Sequence, residues 1–145
     1  MALYFIRHGE SESNERNLFA GRFDTPLTSL GRRQAAQAKA KVEALGLHFD
    51  EVHFTPLSRA KDTADLIVTT PDTIRIEVAE LVERDFGKLS EQNKSLIKKY
   101  FGAGKFEHMF HSAAGAPPNG EAFVDMYDRV RKYYFEAPVC LGFWH

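Results

Sequence analysis

Residues 3–10 read Leu3-Tyr4-Phe5-Ile6-Arg7-His8-Gly9-Glu10, an apolar run that ends abruptly in a cation, an imidazole and a glycine. The apolar run is continuous rather than alternating in polarity, which is typical of a strand covered on both faces in a parallel sheet. Open α/β folds bind ligands at the carboxyl ends of such strands. The stretch therefore predicts a buried strand over residues 3–6 that delivers Arg7 and His8 to a ligand site, and phosphate chemistry on the histidine is the first hypothesis.

The rest of the sequence alternates between strand and helix signals. Residues 52–54 and 73–78 predict two further strands, and helical spacing of apolar residues predicts helices at residues 29–45, 58–68, 95–101 and 121–135. Thr28 is the expected N-cap of the first helix, and Gly46 is its expected stop signal. Strand, helix and strand in this order predict an α/β fold, a three-layer α/β/α domain with a mainly parallel sheet, formed by residues 1–145 as a single domain.

The charge balance and the cysteine content exclude several classes of protein. The chain has 19 Lys+Arg against 20 Asp+Glu and a formal net charge of −1, so no basic field indicates nucleic acid or an anionic membrane as a partner. The single cysteine, Cys140, excludes an intrachain disulfide and a cysteine-rich zinc site. Because no window approaches about 18 apolar residues, we expect a cytoplasmic protein without a membrane partner.

Three residues near predicted strand ends fit the requirements of phosphoryl transfer, which needs a nucleophile and positive donors for the equatorial phosphoryl oxygens. His8 can attack phosphorus through one ring nitrogen while a backbone carbonyl holds the other and fixes the tautomer. Arg7 and Arg59 follow two different predicted strands and offer forked donors. If those strands are parallel, both arginines reach the same edge of the sheet.

Further motifs follow Arg7-His8 in a fixed order along the chain. They are Asn14, Gly21-Arg22-Phe23-Asp24-Thr25-Pro26-Leu27-Thr28, Gly31, Gln34-Ala35, Pro56-Leu57-Ser58-Arg59-Ala60, Thr63-Ala64, Glu83-Arg84-Asp85-Phe86-Gly87 and Asn93-Lys94. Together with Arg7-His8-Gly9-Glu10 this series resembles the histidine phosphatase superfamily from Leu3 to about Tyr134. The block from Glu83 to Lys94 is similar to the phosphoglycerate mutase branch in particular.

The resemblance implies a role for each of six residues. It implies that His8 is the phosphorylated nucleophile and Glu83 the proton donor. It further implies that the phosphoryl group is bound by Arg7, Asn14 and Arg59, and that Arg84 contacts the substrate or a carboxylate. The implied partner is a small phosphorylated metabolite, with 2,3-bisphosphoglycerate as phosphoryl primer in a mutase and no metal.

Glu83 must hold a proton near neutral pH to act as the acid. A carboxyl group does so when it is removed from water or lies beside a phosphate. The apolar neighbours Leu81, Val82 and Phe86 are the residues expected to remove it from water.

The end of the chain departs from the family pattern. Members carry a second catalytic histidine, followed by glycine, at the end of a later buried strand, whereas no His-Gly pair follows His8-Gly9 here. Either residues 139–144 form a contracted version of that strand and His145 stands in, or the chain is cut short or altered at its tail, which is the reading we favour. A sheet without its inner strand would leave backbone groups unpaired, at about 1–3 kcal/mol for each buried group.

Two internal positions also depart from the mutase pattern. Phe110-His111 occupies the place where mutases have two adjacent arginines for the substrate carboxylate, and Glu91 stands where a glycine is usual. The sequence therefore leaves three hypotheses open. The first is a phosphoglycerate mutase-like phosphoryl transferase, the second a phosphomonoester phosphatase of the same superfamily, and the third a non-catalytic phospholigand-binding or regulatory protein. The sequence does not fix the oligomeric state.

Overall fold

The computed structural model of the protein describes residues 2–135. The predictions for residues 139–144 and for His145 lie outside the described residues. Within the described range the helices are α1 (Glu12–Glu15), α2 (Ser29–Ala44), α3 (Ser58–Ile67), α4 (Lys94–Phe101), α5 (Ala103–His111) and α6 (Phe123–Phe135). The strands are β1 (Glu51–Phe54) and β2 (Ile74–Glu77), and two 3₁₀ turns span Ala79–Leu81 and Gly87–Leu89.

A parallel βαβ unit forms the centre of the described fold. Strand β1 pairs with β2 in parallel, with Glu51 opposite Ile74 and Phe54 opposite Glu77. Helix α3 connects the two strands and packs against both β1 and α2. The predicted α/β fold with a parallel sheet is therefore confirmed, as are the two strands predicted at residues 52–54 and 73–78.

The prediction of a buried strand at residues 3–6 is wrong for this structure. These residues belong to no strand, and their side chains are exposed, with 60% exposure for Leu3 and 79% for Phe5. A strand needs a hydrogen-bonded neighbour, and among the described residues β1 pairs with β2 alone. Two of its rings contact other parts of the chain, since the ring centroids of Tyr4 and Phe49 lie 5.7 Å apart and those of Phe5 and Tyr134 lie 6.4 Å apart.

The helix boundaries follow capping residues that the sequence shows. The hydroxyl of Thr28 accepts a hydrogen bond from the Gly31 N–H at 3.0 Å, and Gly46 follows α2 with a φ of 62°, as predicted. The Asn93 side chain caps α4 by accepting from the N–H groups of Ser95 and Leu96. Helix α5 was missed, because Gly102 and Gly104 mask its apolar spacing.

Two apolar clusters hold the described part of the chain together. The first lies between α2, α3 and β1 and includes Ala35, Ile67 and Val68, which are all buried. The second is aromatic and contains the stacked rings of Phe19 and Phe110, with centroids 4.8 Å apart. Phe110, which stands at one of the two positions where mutases carry arginine, is therefore a packing residue here.

Glu91 has a φ of 63°, in the left-handed region that favours glycine. Its N–H donates to the carbonyl of Phe19 at 2.8 Å, which ties this turn to the aromatic cluster. A glycine at this position would adopt the left-handed backbone without strain. In this chain the backbone at Glu91 is strained instead.

Candidate active site

His8 is half-buried, and its ring is hydrogen-bonded to a backbone carbonyl. Its Nδ1 lies 2.7 Å from the Gly9 carbonyl oxygen. Because a carbonyl only accepts, Nδ1 carries the proton and Nε2 keeps its lone pair in the neutral ring. The arrangement can therefore present Nε2 as a nucleophile.

Four charged or polar groups act on the His8 imidazole together with its burial. Burial is the largest effect and lowers the pKa of His8 below its ordinary value of 6.5. The hydrogen bond that His8 donates to the Gly9 carbonyl raises this pKa, the positive charges of Arg59 and Arg7 lower it, and the negative charge of Glu83 raises it. Charges from three separate stretches of the chain, those of Arg7, Arg59 and Glu83, thus act on the His8 ring. A neutral imidazole among cations is suited to attack on a phosphoryl group.

A close backbone approach fixes the turn that carries His8. A Cβ on Gly9 would lie 2.3 Å from the Gly31 carbonyl oxygen, so only glycine lets the turn reach the start of α2 at this point. The Gly9 N–H donates to the Thr63 hydroxyl at 3.2 Å, and that hydroxyl donates to the Arg59 carbonyl at 2.7 Å. The motif residues Gly31 and Thr63 therefore position the nucleophile rather than contact it.

Arg59 is buried in the first turn of α3, with 2% exposure. Its guanidinium donates to the carbonyl oxygens of Gly21 at 2.7 Å and Phe23 at 3.1 Å. Burial is the largest influence on Arg59 and lowers its pKa, while the nearby carboxylates of Glu83 and Asp24 raise it. The two carbonyl bonds fix the plane of the guanidinium and leave N–H groups for a further acceptor.

Arg7 and Asn14 lie on either side of the turn. Arg7 is exposed, and no hydrogen bond joins its guanidinium to another residue within the range 2–135. Asn14 is half-buried, and its amide oxygen accepts from both the Ser11 N–H at 3.1 Å and the Ser11 hydroxyl at 2.9 Å. Since Ser11 occupies the oxygen, the amide nitrogen of Asn14 is the end that can donate to an anion.

Glu83 is exposed, so the expectation that Leu81, Val82 and Phe86 remove its carboxyl from water is wrong. The residues around Glu83 do not cover its side chain. One carboxylate oxygen accepts from the neighbouring Arg84 N–H at 2.8 Å.

Arg84 is placed differently from the other predicted residues. It is 4% exposed, and its guanidinium donates to four backbone carbonyls, those of Glu121 (2.8 Å), Phe110 (3.3 Å), Met109 (2.7 Å) and Gly115 (2.7 Å). Burial is the main influence and lowers its pKa, whereas Glu121 and Glu83 raise it. Four of its five N–H groups are thus used to hold loops together.

Sequence reasoning missed a charge network beside Glu83. The Glu121 carboxylate accepts from the Nε and Nη2 atoms of Arg129 at 2.7 and 3.0 Å, and from Arg22 at 3.2 Å. Arg129 also donates to the backbone carbonyl of Glu83 at 3.3 Å. The sequence carries no signal for this network, since it joins a loop, a helix and a distant turn.

In the range 2–135 no group of three or more His, Cys, Asp or Glu side chains is arranged to hold a metal ion. None of the helices in this range combines the length and the apolarity needed to cross a bilayer.

Residues 3–137 match the family model of the histidine phosphatase superfamily (branch 1). Among curated proteins, the chain is 40% identical to the 2,3-bisphosphoglycerate-dependent phosphoglycerate mutase of Bartonella bacilliformis, over 92% of this chain and 66% of that protein. It is 39% identical to the protein of the same name from Mesorhizobium japonicum, over 91% of this chain and 66% of that protein. The chain thus spans about two-thirds of the length of these relatives.

Solved structures give the same fold with different names. The chain superposes on the mycobacterial glucosyl-3-phosphoglycerate phosphatase in complex with VO3 with a TM-score of 0.78 and 26% identity, covering 89% of this chain and 63% of that one. For the alpha-ribazole phosphatase from Shigella flexneri the TM-score is 0.74 and the identity 28%, with coverage of 88% and 62%. These neighbours are phosphatases by name, whereas the curated relatives are mutases.

Proposed function

This chain belongs to the histidine phosphatase superfamily, and on that premise we propose that it transfers phosphoryl groups through a phosphohistidine formed on His8. The observation that carries the proposal is the geometry of the His8 turn, in which Nδ1 lies 2.7 Å from the Gly9 carbonyl oxygen and the Gly9 N–H is linked through the Thr63 hydroxyl to Arg59. A neutral imidazole with a fixed tautomer, two cations and a carboxyl group are the parts that phosphoryl transfer requires.

In the proposed reaction, Nε2 of His8 attacks phosphorus. A nitrogen–phosphorus bond forms while the bond from phosphorus to the leaving oxygen breaks, and Glu83 gives that oxygen its proton. Arg7, Arg59 and the Asn14 amide nitrogen hold the phosphoryl oxygens.

The fate of the phosphoryl group distinguishes two enzymatic forms of the proposal. In a mutase primed by 2,3-bisphosphoglycerate, phospho-His8 returns the group to another oxygen of the substrate, and the names of the curated relatives support this form. In a phosphatase, water takes the group. Phe110 supports the phosphatase form, because a stacked ring that packs on Phe19 cannot grip a substrate carboxylate as an arginine does.

A third form of the proposal has no turnover. A protein that binds a phosphorylated metabolite at the same cations without forming phosphohistidine would be a regulatory or ligand-binding member of the family. The Arg59 guanidinium is the group that would hold the ligand in this form, because it keeps N–H groups for an anion beyond its bonds to the Gly21 and Phe23 carbonyls.

Incubation with radiolabelled 2,3-bisphosphoglycerate separates the three forms. Acid-labile label on the protein together with mutase turnover supports the first, label with release of free phosphate supports the second, and binding without label supports the third. The His8→Ala variant is the control, since its labelling must be absent. Label that persists in this variant would show that the nucleophile is another residue.

A further inference from the structure

The backbone around Glu83 has no regular secondary structure to hold it. Residues 82–86 belong to neither a helix nor a strand, and they follow the 3₁₀ turn at Ala79–Leu81. A loop without a hydrogen-bond ladder depends on side chains from elsewhere for its position. An acid carried by such a loop needs support, because proton transfer requires the donor within hydrogen-bond distance of the leaving oxygen.

Arg129 provides that support from helix α6. Its Nη2 donates to the Glu83 carbonyl at 3.3 Å, and its Nη1 donates to the carbonyl of Glu80. These two acceptors bracket the turn that leads into Glu83. One guanidinium thus holds both ends of the segment 80–83 against α6, which also contacts the 3₁₀ turn.

Glu121 fixes the orientation of Arg129. Two parallel hydrogen bonds join the carboxylate to Nε and Nη2 at 2.7 and 3.0 Å, and the side chains are only 12% and 18% exposed. The hydrogen bond from Arg129 is the largest influence on Glu121 and lowers its pKa. A two-point pair of this kind fixes the plane of a guanidinium as well as its distance.

The Glu121 carboxylate also binds the backbone on the C-terminal side of Glu83. It accepts from the Asp85 N–H at 3.3 Å, while the Glu121 N–H donates to the Asp85 carbonyl at 2.9 Å. The loop is therefore held on one side of Glu83 by Arg129 and on the other side by Glu121.

We propose that Arg129, oriented by Glu121, is a positioning residue that places Glu83 for proton donation to the leaving oxygen. The inference rests on the proposed function of Glu83. Arg129 itself touches neither the substrate nor the reacting atoms, and it acts through the backbone carbonyls of the loop.

Substrates with different leaving groups test this role. 2,3-Bisphosphoglycerate expels an alkoxide, which needs a proton, whereas p-nitrophenyl phosphate expels a stabilised phenolate, which does not. Two rates are measured on the full chain: labelling of His8 by radiolabelled 2,3-bisphosphoglycerate, and the first turnover of p-nitrophenolate release. General acid catalysis contributes about 10²–10⁴-fold, so a misplaced acid slows labelling by at least about tenfold.

We expect Arg129→Met to slow labelling by at least about tenfold and to slow nitrophenolate release much less, which is the selective loss that Glu83→Gln should also show. Glu121→Gln keeps the shape of the pair without its charge and should show a smaller loss in the same sense. Lys132→Met is the matched control, because it removes a cation from an exposed position of α6 and should change neither rate.

Other outcomes overturn the inference in distinguishable ways. Equal slowing with both substrates in Arg129→Met would mean that the arginine serves general stability, and unchanged rates in both assays would mean that it serves no part of the reaction. If Glu83→Gln shows no selective loss, Glu83 is not the acid and Arg129 has nothing to place. A wild-type chain that is never labelled would refute the proposed function itself, and the role of Arg129 with it.

Discussion

The Thr63 hydroxyl accepts a hydrogen bond from the Gly9 N–H at 3.2 Å and donates one to the Arg59 carbonyl at 2.7 Å. Gly9 belongs to the turn that carries His8, and Arg59 opens helix α3, so this one hydroxyl joins the nucleophile to its anion clamp. Both Gly9 and Thr63 are buried, so loss of this bond would leave a buried N–H group without a protein acceptor.

Replacing Thr63 by valine should therefore loosen this junction. The variant keeps the shape of the side chain and leaves the buried Gly9 N–H without an acceptor, at about 1–3 kcal/mol of unfolding free energy. Urea unfolding measures the loss, and labelling of His8 should fall in parallel. Thr63→Ser is the control that retains the hydroxyl. An unchanged unfolding midpoint for Thr63→Val would show that the junction contributes nothing to stability.

The titration of His8 gives a second prediction. Burial lowers the pKa of His8 most, and the positive charges of Arg59 and Arg7 lower it further. The ring should therefore titrate below 6.5 when the imidazole Hε1 resonance is followed by NMR. The neutral nucleophile then persists at mildly acidic pH, so labelling of His8 should persist there as well. A midpoint at or above 6.5 would contradict the burial of the ring among cations.

The same shift links stability to pH. Between the folded pKa and 6.5, the unfolded state holds more protons on His8 than the folded state does. Stability therefore falls as the pH drops through this window and levels off below the folded pKa. Comparison of unfolding free energies for the wild type and His8→Asn across that window checks the sign, since the variant lacks this contribution.

Arg84 was predicted to contact the substrate or a carboxylate, and its four bonds to backbone carbonyls now predict a structural role. Arg84→Met should lower the free energy of unfolding by about 3 kcal/mol or more, since each unpaired buried carbonyl costs about 1–3 kcal/mol. Arg22→Met is the control, as loss of the exposed arginine's two ion pairs, with Asp85 and Glu121, should cost no more than about 1 kcal/mol. An Arg84→Met variant with unchanged stability and weakened binding of 2,3-bisphosphoglycerate would restore the original prediction.

Glu91 offers a stabilising substitution. A non-glycine residue in the left-handed region costs about 1–2 kcal/mol, so Glu91→Gly at its φ of 63° should raise the unfolding free energy by roughly 1 kcal/mol. Glu91→Ala retains the Cβ and should gain nothing, which makes it the matched control. Calorimetry on the three proteins measures the difference, and an equal gain in both variants would assign the strain to the glutamate side chain instead.

The helices and strands that the sequence predicted share a local cause. Thr28 and Gly46 bound α2 by capping and by a left-handed residue, and both signals are readable within a few positions. The strand predicted at residues 3–6 depends instead on neighbours far along the chain. Apolar composition alone shows that such a segment can be buried, and it does not show whether a paired strand is present to bury it.

The residues of the candidate site also fall into those that the sequence indicated and those that it did not. The sequence predicted His8, Arg7 and Arg59 as site residues because the order of the motifs is specific, and the likeness to a known family rested on that order. The contributions of Thr63, Glu121 and Arg129 were not readable. Each acts through hydrogen bonds to backbone atoms that are far away in the sequence, and neither residue type nor spacing encodes those contacts.

The sequence by itself determined the family of the protein and the order of its β1–α3–β2 unit, because capping, apolar periodicity and motif order are local properties of the chain. Only the tertiary structure showed that Arg84 donates hydrogen bonds to loop carbonyls and that the Glu83 side chain is exposed. It also showed that Arg129 donates to the Glu83 carbonyl. Burial and hydrogen-bond partners are properties of the packed chain, since they depend on which distant segments meet.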